Sequence, residues 1–183
     1  MTTPQASKVL KGDEITLNCV ANGVPQPEIH WLKDGSLIDL NYLDSRFVKL
    51  ASGSLKISQI SSSDEGTYQC RAENSLDSID AAAFIQVLQR PEFIEKPQNI
   101  LATEKADIEF NCKVQGEPLP TVQWYKNGEL ILESEYFQII KGTNLKILGL
   151  VELDSGIYQC VANNEVDNIQ AAASLKVIKK SGN

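Results

Sequence analysis

The four cysteines are the residues whose chemistry is easiest to predict. Cys19 and Cys70 form one pair, and Cys112 and Cys160 form a second pair with similar flanking residues. Two evenly matched pairs predict two disulfides, Cys19–Cys70 and Cys112–Cys160. The alternatives are a metal site or a reactive thiol, but the sequence has no C-x-x-C motif and one histidine. Two disulfides indicate an oxidising compartment outside the cell.

Two aspartates, Asp64 and Asp154, could act as catalytic carboxylates. The alternative is a structural acid that orders the turn before a tyrosine. The sequence favours the structural role, because it contains no G-x-S-x-G, phosphate-loop or EF-hand motif. Arg46 is well placed to pair with Asp64, whereas the matching position in the second half is Tyr136, so we expect Asp154 to lack this partner. We therefore predict no enzyme activity, no cofactor and no metal.

His30 and three lysines are further candidates for ligand contacts. His30 is next to Trp31, so strand alternation points it outward, either as a solvated side chain or as a ligand contact. Lys176, Lys179 and Lys180 either end a strand in solvent or touch a glycosaminoglycan. The solvated alternative is the simpler one for both groups.

Composition excludes several classes of protein. The 183 residues are 42% hydrophobic and 22% charged, which is ordinary for one large or two small globular domains. The formal net charge of -7 argues against nucleic-acid binding, since phosphate contacts need a basic surface. No window approaches the roughly 18 apolar residues of a membrane-spanning helix.

The chain is an internal repeat of two copies. A tryptophan follows the first cysteine of each pair by 12 residues, and a tyrosine precedes the second cysteine by two; these core candidates are Trp31, Trp124, Tyr68 and Tyr158. Short runs alternate between polar and apolar residues, with turn residues about every 8–12 positions. This pattern predicts an all-β protein with two tandem sandwiches.

The repeat also sets the domain boundaries. We predict one domain at residues 1–89, whose first strand is expected to be truncated, a second at 90–179, and a tail at 180–183. No N-x-S/T sequon is present, so both domains are expected to lack N-linked sugar.

Each half resembles an immunoglobulin domain of the I-set. Both contain the pattern Cys…Trp…Leu-x-Ile…Asp-x-Gly-x-Tyr-x-Cys-x-Ala-x-Asn, which ends at Asn74 and at Asn164. The tyrosine two residues before the second cysteine is typical of a tyrosine corner. The pattern covers nearly the whole chain, and it specifies the fold more than any partner.

A closer resemblance is to the netrin receptor family of DCC, neogenin and Frazzled. Residues 107–112, 120–124, 135–149 and 158–165 resemble the fourth immunoglobulin domain of these receptors, and the first half would be the third. The insect member is the expected one. The resemblance implies a single-pass axon-guidance receptor at the plasma membrane, with four immunoglobulin domains and six fibronectin type III repeats. It also implies that netrin binds mainly the fibronectin repeats, so this pair would act in receptor architecture.

Other functions remain open for the same fold. A homophilic neural adhesion module and an intracellular muscle spacer are two of them. The ligand-binding part of a receptor kinase is a third, but it would favour a basic heparin face, and both halves are acidic. Paired cysteines argue against the muscle spacer, because cytosol is reducing.

Strand alternation predicts a surface for a protein partner. Leu32, Arg71 and Phe84 should point outward from one sheet, and Tyr125 should do so in the second half. Aromatic residues and arginine are enriched at interface cores, although single exposed apolar residues are also common. We expect protein partners here, such as neighbouring immunoglobulin domains of the same receptor and weak self-association.

Overall fold

A computed structural model describes residues 1–41 and 46–182. The chain divides into two compact units, Met1–Leu88 and Gln89–Asn183. Both are built from strands and short 3-10 turns, so the predicted all-β class with two tandem sandwiches is confirmed. Among the described residues, no helix is long and apolar enough to cross a membrane.

The strands of unit one are short because turn residues interrupt each alternating run. They are β1 (Ser7–Leu10), β2 (Ile15–Leu17), β3 (Glu28–Lys33), β4 (Ser36–Leu37), β5 (Phe47–Lys49), β6 (Leu55–Ile57), β7 (Gly66–Glu73) and β8 (Ser78–Glu95). A 3-10 turn at Ser62–Asp64 precedes β7. Strand β8 continues past Leu88 into the residues of unit two.

Two sheets enclose the core of unit one. One sheet has the order β1-β8-β7-β3-β4, in which β1 runs parallel to β8, and the other has the order β2-β6-β5. An isolated bridge joins Thr2 to Val20. The register places Trp31 opposite Cys70, so both point into the space between the sheets.

Unit two repeats this plan. Its strands are β9 (Ile100–Thr103), β10 (Ile108–Phe110), β11 (Lys113–Glu117), β12 (Thr121–Lys126), β13 (Glu129–Leu130), β14 (Phe137–Ile140), β15 (Asn144–Ile147), β16 (Gly156–Asn163) and β17 (Asn168–Ile178). One sheet has the order β13-β12-β16-β17-β9, and the other has the order β10-β15-β14. Strand β11 pairs with the residues of β8 from Gln89 to Glu95.

Each unit has its own hydrophobic core. In unit one the core contains Leu17, Trp31, Leu55, Ile57 and Ile85 with the first disulfide. In unit two it contains Phe110, Trp124, Leu145, Ile147 and Leu175 with the second. Most of these residues alternate with partly or fully exposed neighbours along their strands, so the outward face of each sheet carries the surface chemistry.

Candidate recognition surfaces

A disulfide and a tryptophan fix the two sheets of unit one against each other. Cys19 and Cys70 are bonded, with Cα atoms 6.4 Å apart and a sequence separation of 51. Trp31 is 1% exposed, and its indole Nε1 donates to the Gly53 carbonyl at 2.8 Å. This pairing satisfies the polar atom of a buried ring.

The same arrangement recurs in unit two. Cys112 and Cys160 are bonded, with Cα atoms 6.5 Å apart. Trp124 Nε1 donates to the Thr143 carbonyl at 2.8 Å. Phe110 also packs against this tryptophan, with the two ring centroids 5.9 Å apart. The matching core residue of unit one is Leu17, which has no ring. The four cysteines of the sequence are therefore all in the two predicted bridges.

The tyrosine corner forms in both units. The Tyr68 hydroxyl donates to the Asp64 carbonyl at 2.7 Å, and the Tyr158 hydroxyl donates to the Asp154 carbonyl at 2.7 Å. Both rings are fully buried, and burial raises the pKa of each phenol well above its ordinary value. These tyrosines fix the turn that leads into the second cysteine strand.

Asp64 is a structural acid. Arg46 Nη1 lies 2.9 Å from its Oδ2, and the Ser61 backbone N–H donates to the same oxygen at 2.8 Å. Burial alone would raise the pKa of Asp64, but the hydrogen bonds from Arg46 and Ser61 outweigh it and hold the pKa below its ordinary value.

Asp154 lacks the arginine partner of Asp64, as expected, but Tyr136 at the matching position bonds to it instead. The Tyr136 hydroxyl donates a hydrogen bond to Asp154 Oδ2, and the Val151 backbone N–H donates to the same oxygen at 2.8 Å. Burial and the hydrogen bond to Asp154 raise the pKa of Tyr136 to about 12. A phenol reaches the carboxylate where unit one uses a guanidinium, so the same corner is held by a neutral donor.

Two buried side chains that accept hydrogen bonds from the cysteine backbone were not predicted from the sequence. Ser54 Oγ accepts the Cys19 backbone N–H at 3.1 Å, and Asn144 Oδ1 accepts the Cys112 backbone N–H at 2.9 Å. Both side chains are buried at equivalent positions of the repeat. Because one residue is a serine and the other an asparagine, the repeat did not reveal that both accept the cysteine N–H.

The asparagine that ends each motif joins two loops. Asn74 Nδ2 donates to the Pro25 carbonyl at 2.9 Å, while Asn74 Oδ1 accepts the Leu76 backbone N–H at 2.9 Å. Asn164 makes the equivalent bond to the Pro118 carbonyl at 3.0 Å. Val24-Pro25 and Glu117-Pro118 are both cis peptides.

The predicted interface residues of unit one share a sheet face but do not meet. Phe84 is 50% exposed and lies opposite Thr67, whereas Arg71 lies opposite Asp80. Phe84 and Asp80 are four positions apart on β8, so Phe84 lies about 13 Å along the strand from the Arg71–Asp80 pair. Arg71 Nε instead bonds Asp80 Oδ1 at 2.9 Å, which raises the pKa of Arg71 further above its ordinary value.

Leu32 and His30 occupy other rows of the same face. Leu32 lies between Leu37 and Gln69, and His30 lies opposite Arg71. His30 Nε2 is 3.8 Å from Glu28 Oε2. Charges therefore interrupt the predicted patch.

Tyr125 lies on a face of a different character. It is partly exposed between Leu130 on β13 and Gln159 on β16. The outward positions of β12 and β16, and those of β17 from Asn168 to Ser174, are all partly or fully exposed; the next outward position of β17 is Lys176. The positions up to Ser174 are Thr121, Gln123, Tyr125, Ile157, Gln159, Val161, Asn163, Asn168, Gln170, Ala172 and Ser174. None of these eleven described residues is Asp, Glu, Lys or Arg, and we call this surface the uncharged face.

The lysines near the chain end are exposed. Lys176 points outward from β17, and Lys179 Nζ lies 3.5 Å from Glu152 Oε2. Within residues 1–41 and 46–182, no three His, Cys, Asp or Glu side chains gather where they could hold a metal ion.

Comparison with known proteins matches both halves to immunoglobulin models. Residues 91–177 match the immunoglobulin I-set domain, and residues 1–74 match an immunoglobulin domain model. Human Neogenin is 46% identical over 168 residues, which cover 92% of this chain and 11% of Neogenin. Human netrin receptor DCC is 41% identical over 176 residues, which cover 96% of this chain and 12% of DCC. The chain thus spans about a tenth of these relatives.

A solved structure with the same fold is that of Sidekick-1 immunoglobulin domains 1–4. The two sequences are 31% identical, and the match covers 97% of this chain and 48% of the Sidekick-1 chain. The structures superpose with a TM-score of 0.78. Both matched regions are immunoglobulin domains, and neither family model describes an enzyme. The identities to human Neogenin and DCC do not single out one member of the family, so the expected insect member stays a prediction.

Proposed function

Because the chain belongs to the netrin receptor family that includes Neogenin and DCC, we propose that it is an extracellular domain pair of a single-pass axon-guidance receptor. The observation that carries this proposal is the identity of 46% to Neogenin along 168 residues, across both units. The two disulfides support an extracellular site, since both would be reduced in cytosol.

The proposed role is receptor architecture and protein recognition. The surface of each unit consists of sheet faces and turns, and the polar groups of the tyrosine corners are occupied by structural bonds. Partners would include the neighbouring immunoglobulin domains of the same receptor. Recognition would then depend on the outward side chains of the strands.

A binding assay tests this role. The 183-residue chain is immobilised, and surface plasmon resonance measures its binding to a netrin and to the remaining immunoglobulin domains of the receptor. We expect binding to the receptor domains and none to netrin. Binding to netrin by this pair alone would contradict the architectural role.

A homophilic adhesion module is the second candidate. The uncharged face favours it, because a surface without charge can meet its own copy without repulsion. In that case the chain would bind itself and none of the receptor domains. Adding the chain itself as a third analyte to the same assay separates the two functions.

A further inference from the structure

The two units differ most on one equivalent surface. The positions of unit one that match the uncharged face are also outward on β3, β7 and β8. They are Glu28, His30, Leu32, Thr67, Gln69, Arg71, Glu73, Ser78, Asp80, Ala82 and Phe84. Four of them are charged, namely Glu28, Arg71, Glu73 and Asp80. At these eleven matched positions the sheet thus carries four charged residues in unit one and none in unit two, where the outward Lys176 lies beyond them near the end of β17.

The absence of charged residues from the uncharged face lowers the desolvation cost of covering it with another protein. An acidic chain with 22% charged residues normally places them on its outward strand positions. Depletion of charge together with a partly exposed tyrosine is typical of the core of protein interfaces, where each buried charge would have to be desolvated. Ile157, 48% exposed, and Leu130, 47% exposed, extend the apolar part of this face.

We infer that the uncharged face of unit two binds a second copy of this chain. The face complements itself around a two-fold axis parallel to its central strand, β16. Such an axis places Val161 and Gln159 opposite their own copies, and it places β12 opposite β17 of the second chain. The Tyr125 ring then lies over the small Ala172 side chain.

Polar groups also pair in this arrangement. Gln123 comes opposite Gln170, and Gln159 comes opposite itself; each amide both donates and accepts hydrogen bonds. Because each sheet twists, its outer strands diverge from the axis with distance from β16, so the pairs nearest the axis meet best. No charge has to be removed from water on these eleven positions.

The same axis excludes unit one as the self-binding surface. It would bring Arg71 opposite its own copy and Glu73 opposite its own copy. Like charges in direct opposition repel each other and disfavour such a pairing. Unit one is therefore the internal control for the inference.

The size of the face sets the expected affinity. Three strands and the adjoining β13 measure roughly 20 Å by 20 Å, or on the order of 400 Å² in projection for each copy. This is below the standard interface, so the dimer should be transient, with a dissociation constant on the order of 100 µM. If the chain is part of a membrane receptor, as proposed above, confinement at the surface would raise its effective concentration. The self-association itself does not depend on that proposal.

Sedimentation velocity of the 183-residue chain from about 10 µM to about 1 mM tests the inference. We expect a reversible monomer–dimer equilibrium on the order of 100 µM that changes less than about twofold between low and high NaCl, since no charge pair drives it. Gln159→Arg should weaken it at least tenfold. Gln69→Arg, the same change at the equivalent position of unit one, should leave it unchanged.

A second variant separates loss of the dimer from loss of the fold. Val161→Arg introduces an arginine where unit one already carries Arg71, so the fold should tolerate it. It should also abolish the dimer, and amide shifts on dilution should map to β12, β16 and β17. A monomer at about 1 mM, equal loss with Gln69→Arg, or a strongly salt-dependent dimer would overturn the inference. Binding of this face to netrin or another receptor domain by a chain that stays monomeric would show that the second copy is the wrong occupant.

Discussion

At the scale of single residues, one corner of the fold is held by two different chemistries. Asp64 accepts from a guanidinium in unit one, and Asp154 accepts from a phenol in unit two. Only the first pair is ionic. The two units should therefore respond differently to substitution and to pH.

Arg46→Met should destabilise unit one by about 2–4 kcal/mol at pH 7, because it leaves the buried Asp64 carboxylate without its cation. The pKa of Asp64 is lowered in the folded state, so its contribution is present above the ordinary carboxyl pKa near 4 and is lost as pH falls through the lower folded value. Urea unfolding between pH 7 and pH 2 measures both effects. An acid dependence of the variant equal to that of the parent would contradict the assignment.

Tyr136→Phe should destabilise unit two by about 1–3 kcal/mol at pH 7, since Asp154 loses a hydrogen bond in a buried site. The pKa of Tyr136 is raised to about 12, so its contribution is complete below pH 10 and is lost as pH rises from about 10 to 12. Tyr68 and Tyr158 add to the alkaline loss in both proteins. The difference between parent and variant in this range isolates Tyr136, and a constant difference from pH 9 to pH 12 would be inconsistent with it.

At the scale of elements, one turn glycine is required by both its backbone and its surroundings. Gly53 has a φ of 98°, and a Cβ there would lie 2.7 Å from Ile29 Cγ1. Gly142 has a φ of 83°, but a Cβ there meets nothing within 4 Å. The two positions separate the effect of backbone conformation from that of packing.

Gly53→Ala should destabilise unit one by roughly 3 kcal/mol, because left-handed strain and overpacking add. Gly142→Ala should destabilise unit two by only about 1 kcal/mol, from the backbone alone. Calorimetry of both variants provides the comparison. Equal losses in the two variants would show that Ile29 moves aside without cost.

The strands and their inward residues were predictable because the period of two is visible in the sequence. The repeat located both disulfides, both tryptophans and both tyrosines without any coordinates. The parallel pairing of β1 with β8 and of β9 with β17 was not predicted, since periodicity does not specify a strand's neighbour.

The surface sites were predicted less well, because they depend on register across three strands. Alternation gave the outward direction of Phe84 and Arg71, but only the register shows that they lie in different rows. The uncharged face appears only when β12, β16 and β17 are aligned. The Tyr136–Asp154 bond was not predicted, because only an arginine at this position was considered as a partner for the aspartate.

At the scale of the whole molecule, the account depends on two small domains that each need a covalent bridge. A domain of about 90 residues buries a modest core, so a disulfide is a large part of its stability. Each bridge closes a loop of about 50 residues, which corresponds to about 4 kcal/mol by loop entropy. This dependence also distinguishes an extracellular pair from a spacer in reducing cytosol.

Thermal unfolding of the chain, secreted from eukaryotic cells and measured with and without reductant, tests this claim most directly. We expect no free thiol before reduction, since all four cysteines are paired. After reduction we expect that Tm falls by at least about 15 °C for both units. Free thiols in the secreted chain, or a Tm that reductant leaves unchanged, would contradict it.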